Sequence, residues 1–151
     1  MKICCFFGHS KLYNTEEIQK KLYKAIEKLI PKEGIKDFWV GNYGVFDKMA
    51  SYILNELKKI YDIKIELIIP YLTREIAEET DFYNRRFDSV CIANIPQTTH
   101  YKSKITITNQ YIVDNCEYMI CFIENEWGGA AKALKYAEEK KKIIINIAEL
   151  N

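Results

Sequence analysis

Two rhythms of apolar residues alternate along this chain. Short, nearly unbroken apolar runs are separated by longer stretches in which apolar residues recur every three or four positions. The first run, Ile3–Phe7 within Lys2–Ser10 (KICCFFGHS), is too short for a lone helix and suits a strand buried on both faces. Ile35–Val40, Ile63–Ile69, Tyr118–Ile123 and Lys142–Ile147 read as further strands, and Pro70 ends the Ile63 strand. Ser89–Ile95 reads as a short strand stopped by Pro96. A helix is predicted from about Asn14 to Ile30, with Ile18, Leu22, Ala25, Ile26, Leu29 and Ile30 on one face. Asn14 or Thr15 is placed to cap it, Glu16 and Glu17 suit its first turn, and Pro31 and Gly34 close the unit. A second helix from Val45 to about Tyr61 would turn Val45, Phe46, Met49, Ile53, Leu54, Leu57 and Ile60 inward. Arg74–Phe87 reads as a polar helix. Thr106–Cys116 reads as a helix facing inward through Ile112, Val113 and Cys116, and Ala130–Lys141 as one facing inward through Ala130, Ala133, Leu134 and Ala137. Apolar strands alternating with amphipathic helices predict an α/β fold with a parallel sheet and right-handed crossovers.

Composition narrows the class. At 151 residues, 48% hydrophobic and 28% charged, the chain reads as one globular domain spanning residues 1–151, without linker, repeat or low-complexity tract. A net charge of +1 argues against a protein dominated by phosphate-backbone contacts. Lys20, Lys21, Lys24 and Lys28 read as a solvated helix face. No apolar run approaches the roughly 20 residues of a membrane span, and no small-residue cleavage site follows the first apolar stretch. Cys4, Cys5, Cys91, Cys116 and Cys121 show no C-x-x-C spacing, and most fall in apolar elements. They are read as buried, reduced thiols in a cytoplasmic protein. Cys4 and Cys5, adjacent on a strand, point to opposite faces. With His9 and His100 the only histidines, no metal set is expected.

The candidate chemistry gathers where strands end. Gly8 lets the backbone turn after the first strand, and His9 and Ser10 place polar groups at its carboxyl end, where open α/β sheets bind ligands. Gly41-Asn42-Tyr43-Gly44 lies between a strand and a helix, a setting in which backbone N–H groups approach an anion or a sugar. Tyr71–Lys104 is the least regular segment. From it Tyr83, Arg85, Arg86, His100 and Tyr101 are read first as surface residues, with the polar Gln97–Ser103 loop placed to lie over a site.

Four segments in order resemble the SLOG superfamily, which includes DprA/Smf proteins and LOG-type phosphoribohydrolases, and are most similar to its small YpsA-like branch. They are Gly8-His9-Ser10, Gly41-Asn42-Tyr43-Gly44-Val45-Phe46-Asp47, Thr108-Asn109-Gln110-Tyr111-Ile112-Val113-Asp114, and Gly128-Gly129-Ala130 leading into Lys135-Tyr136-Ala137. The family counterparts are G-H-R, G-G-x-x-G-F-D, R-N-x-x-M-V-D and G-G-T. The resemblance implies a Rossmann-like three-layer sandwich with a mostly parallel central sheet. The first strand would be central, and the crevice would lie between the Gly8 and Gly128 loops. It further implies ligand contacts from Gly8, His9, Ser10, Gly41, Asn42, Tyr43, Asp47, Asn109, Asp114, Gly128, Gly129 and Ala130. Asp47 is read first as a helix-terminus residue, and Asp114 equally as a ribose contact or a loop anchor.

Departures from the family pattern carry information. Ser10 and Thr108 stand where the family has arginine, removing two cations that would pair with phosphate. Ala130 replaces a threonine, and Glu124 and Glu126 add negative charge. Trp127, Ala131-Lys132 and Lys135 stand where LOG-type enzymes carry the proline, G-T and glutamate of P-G-G-x-G-T-x-x-E, so the catalytic signature is absent. The leading expectation is a cytoplasmic, homo-oligomeric module that senses or sequesters a nucleotide or NAD-derived small molecule and needs no cofactor. The alternatives are a nucleotide N-glycosidase and, against the near-neutral charge, a DprA-like nucleic-acid binder or scaffold.

Overall fold

A computed structural model describes residues 2–96, 98–100 and 103–150. Gln97, Tyr101 and Lys102 of the polar segment therefore lie outside the described residues. The strands are β1 (Ile3–Gly8), β2 (Asp37–Val40), β3 (Lys64–Ile69), β4 (Ser89–Ile92), β5 (Tyr118–Phe122) and β6 (Ile143–Asn146). They form one sheet in the order β4-β3-β2-β1-β5-β6. Every pairing is parallel, with Cys4 of β1 opposite Phe38 of β2 and Tyr118 of β5. The helices are α1 (Thr15–Glu33), α2 (Val45–Lys58), α3 (Arg74–Glu78), α4 (Thr80–Arg86), α5 (Lys104–Asn115) and α6 (Gly129–Glu139), followed after β6 by a 3-10 turn, Ile147–Glu149.

The two faces of the sheet carry separate cores. Cys4, Phe6, Phe38, Ile65, Leu67 and Ile120 pack under Leu22 and Ile26 of α1 and Ile53, Leu54 and Leu57 of α2. Ile3, Cys5, Phe7, Met119 and Cys121 pack on the other face under Ile112 and Val113 of α5 and Ala133 and Ala137 of α6. Alternation along β1 thus sends Cys4 and Cys5 to opposite layers, because successive strand residues face opposite ways. Four of the five cysteines are buried and Cys91 is half-buried, all as free thiols. Burial pushes the Cys4 and Cys116 thiols well up and Cys121 to about 12, which leaves them inert as nucleophiles.

Several boundaries differ from the periodic reading. α1 runs through Pro31 to Glu33, and the Gly34 N–H donates to Ile30 O at 3.1 Å. A proline in the last turn removes a single helical bond, so it does not end the helix. Asn14 holds the N-cap position, but its carbonyl, not its side chain, accepts from Glu17 and Ile18 N–H. Arg74–Phe87 is two short helices broken at Glu79. Thr73 Oγ1 caps the first at 3.3 Å from Ile76 N, and the pair buries Ile76, Tyr83 and Phe87. Val45 and Ile60, expected to face inward, are exposed at the two ends of the α2 segment. Among the described residues no helix is long and apolar enough to cross a membrane.

Candidate functional site

The chain leaves β1 toward β2, β3 and β4 on one side and returns to β5 and β6 on the other. At this reversal the loops after β1 and β5 diverge, one toward each face, and a crevice opens at the strand carboxyl ends. A cavity of about 480 Å³ occupies it, a size suited to a small organic ligand. Its floor is apolar, formed by Phe6, Phe7, Trp39, Ile68 and Ile112, and Trp39 stacks on Tyr111 with ring centroids 5.9 Å apart. Its lining includes three exposed aromatics: Tyr13, Tyr43 and Trp127, the last 74% exposed.

The β1 end is tied to the β5–α6 loop. His9 N–H donates to Phe122 O at 3.4 Å, and His9 Nε2 accepts from Glu124 N–H at 2.9 Å. The base of the same loop is held by buried Asn146, whose Oδ1 accepts from Ile123 N–H at 3.1 Å and whose Nδ2 donates to Ile123 O at 3.0 Å. Beyond Glu124 the loop loosens. Trp127 N–H reaches Asn125 Oδ1 at 3.3 Å, and Gly128 then opens α6. Among the described residues, the N–H groups of Gly129, Ala130 and Ala131 meet no protein acceptor. They are the orphan donors of a helix N-terminus, and Gly129 and Ala130 line the cavity.

The β2–α2 loop forms the opposite wall. Tyr43 N–H donates to Asp47 Oδ2 at 2.8 Å, a variant of the capping box in which a first-turn carboxyl reaches back to the loop. Asp47 is buried, and loss of hydration pushes its carboxyl up to about 7 against the opposing effect of that hydrogen bond. It closes the loop at the helix terminus and lines the cavity. α5 contributes Asn109 and Thr108. Thr108 is 2% exposed, lines the cavity, and its Oγ1 has no hydrogen-bond partner among the described residues.

Of the sequence-predicted residues, Gly8, His9, Ser10, Gly41, Tyr43, Asp47, Asn109, Gly128, Gly129 and Ala130 meet around this one cavity. Asn42 and Asp114 do not. Asn42 turns away and donates to Tyr83 Oη at 3.3 Å, and Asp114 accepts from Tyr136 Oη at 2.7 Å, joining α5 to α6. Tyr83 is a buried residue of the α2-side core, while Arg85 and Arg86 line a separate groove against α2. Sequence reasoning missed Thr108 as a wall residue, noting only that it was not arginine. It also missed Tyr13, whose place in the loop after the first strand was the available signal, and Trp39, which a strand-end tryptophan could have flagged. Among the described residues no three metal-ligating side chains cluster.

Comparison with known proteins gives the site a family context. The YpsA family model, described as the YspA SLOG family, matches residues 3–148. A UPF0398 protein of Macrococcus caseolyticus is 28% identical over 137 residues, covering 82% of this chain and 73% of that protein. A major surface protein of Treponema lecithinolyticum, MspTL, is 23% identical over 127 residues, covering 84% of this chain but 20% of that protein. Among solved structures, DNA processing protein A (DprA) of Streptococcus pneumoniae is similar in fold. Its TM-score is 0.68 at 14% identity, covering 95% of this chain. This chain spans 49% of that protein's chain, about half its length.

Proposed function

This chain belongs to the YspA SLOG family, and from that premise we propose that it binds a nucleotide or an NAD-derived small molecule in the crevice between β1 and β5, as a sensor or a sequestering protein. The observation that carries this reading is Thr108, which lines the same cavity as the open N-terminus of α6 and whose buried hydroxyl has no hydrogen-bond partner among the described residues. A hydroxyl without a partner beside orphan N–H donors matches a ligand rich in hydrogen-bonding groups. The exposed faces of Tyr13 and Trp127 at the same cavity suit a planar heterocycle.

The test is a thermal-shift screen of the full chain against NAD, ADP-ribose, cyclic ADP-ribose isomers, nucleosides, nucleoside phosphates and cyclic dinucleotides. A ligand that binds only the folded state raises the melting temperature by mass action. A shift with the ligand recovered intact supports the reading, and no shift across the panel removes it.

Asp47 favours a second reading, cleavage of an N-glycosidic bond. A carboxyl with a pKa near 7 in an apolar cleft is suited to deliver a proton to a departing base at neutral pH. The discriminating observation is the fate of the bound molecule: free base and sugar in the recovered material would replace the sensor with an enzyme.

A further inference from the structure

The polar groups around the cavity are uneven in a way that narrows the ligand. Among the described residues, Lys11 is the sole lysine or arginine that lines the cavity, which it shares with the carboxyl groups of Asp47 and Glu124. A di- or triphosphate needs arginines, several lysines or a metal to offset its charge, and a single lysine beside Glu124 does not supply them. The orphan N–H groups of α6 offer dipolar rather than full positive charge, enough for one oxygen but not for a chain of phosphates.

Hydroxyl groups fit the same lining well. A hydroxyl donates to a carboxylate and exchanges hydrogen bonds with threonine and asparagine. Thr108 lines the cavity and its buried Oγ1 has no partner among the described residues, so rotation of its side chain about χ1 would turn the hydroxyl to a ligand hydroxyl and satisfy it. Three aromatic side chains line the cavity with exposed surface for a heterocycle.

Resting on the small-molecule reading above, we propose that the cavity recognises the neutral ribonucleoside portion of its ligand, with a ribose hydroxyl on Thr108 and the base against the aromatic lining, and that phosphoryl groups add no affinity.

The experiment is calorimetric titration of the full chain at fixed ionic strength. The probes are the four ribonucleosides, their 2′- and 3′-deoxy analogues, and their 5′-mono-, di- and triphosphates, with NAD and ADP-ribose alongside. At least one ribonucleoside should bind, one deoxy analogue should bind about tenfold more weakly, and affinity should stay level or fall as phosphates are added. Thr108→Val should lower ribonucleoside affinity about tenfold yet raise the melting temperature of the free protein, because it removes a buried hydroxyl with no partner. Thr108→Ser, which keeps the hydroxyl, should retain binding. A merely structural threonine would not produce these opposite signs. Affinity rising with each phosphate, or a Thr108→Val protein that binds like the parent, overturns this inference and leaves the nucleotide reading in place. Silence from every probe, NAD and ADP-ribose included, overturns this inference too, and the nucleotide reading falls with it when the wider thermal-shift panel is also silent.

Discussion

In the β2–α2 loop, a Cβ added to Gly44 would lie 2.6 Å from Ser10 Cα, and Val45 N–H is taken by Ser10 O at 3.2 Å. Tyr43 N–H is taken by Asp47 in the same loop. In the β5–α6 loop, a Cβ added to Gly128 would meet nothing within 4 Å, and the first helical N–H groups meet no acceptor among the described residues. Both loops carry glycines between a strand and a helix, both reach the same cavity, and both N-caps have positive φ, 89° at Gly44 and 93° at Gly128. One helix start is joined to Ser10 through its first N–H, and the other is left open among the described residues. A glycine before a helix is thus compatible with a packing joint or with a ligand cradle, and the neighbouring chain determines which.

Substituting the two N-cap glycines tests this contrast with the largest expected effect. Gly44→Ala should destabilise by roughly 3 kcal/mol or more, since backbone strain adds to overlap with the Ser10 main chain. Gly128→Ala meets no such overlap and should cost only about 1–2 kcal/mol of strain, while lowering ligand affinity more than stability. Denaturant midpoints paired with titrations of the bound small molecule check both. Equal losses of stability would erase the distinction between the joint and the cradle.

Asp47 sharpens the closed side through pH. Burial raises its folded-state pKa from 3.8 to about 7. Below pH 3.8 both folded and unfolded chains hold the proton, and the group has no effect on stability. Between 3.8 and about 7 the unfolded chain releases a proton that the folded protein keeps, so stability falls as pH rises and levels off above 7. Asp47→Asn removes this titration. Its stability relative to the parent should therefore increase across that window, by roughly 2 kcal/mol after allowance for relaxation of the site. Unfolding curves at pH 4, 5.5, 7 and 8 check it, and a constant difference would place the carboxyl in a hydrated setting.

The smallest effect is expected on the open side. Trp127 is 74% exposed, so Trp127→Ala should leave stability unchanged within roughly 0.5 kcal/mol. The same substitution should weaken a stacked ligand by about tenfold. Thermal unfolding and titration of one preparation separate the two readouts.

Much of the framework was legible along the chain. Ile3–Phe7 announced a strand buried on both faces, and β1 lies at the turning point of the sheet with a helical layer on each side. The segment from Arg74 to Phe87 was less legible. Its pattern allowed one helix, whereas the chain breaks at Glu79 to bring Ile76 and Tyr83 into the same core. Asn42 and Asp114 show the limit at the site. Each sits in a segment whose neighbours line the cavity, yet each is drawn away by a tyrosine hydroxyl distant in sequence, Tyr83 and Tyr136. Thr108 shows the converse, since burial and lack of a partner make it informative and neither is visible in a residue's name.

The sequence by itself determined the order and type of the strands, the two-sided burial of β1, the family of the fold and the loops that gather at its carboxyl edge. Those properties follow from periodicity and chain order, which are local and cumulative. The tertiary structure alone decided that α2 begins against Ser10 while α6 begins in the open, that Asp47 is dehydrated, and that the Thr108 hydroxyl is left without a partner among the described residues. These are properties of pairs brought together from distant parts of the chain. The energy of a polar group depends on which atoms surround it once water has been removed.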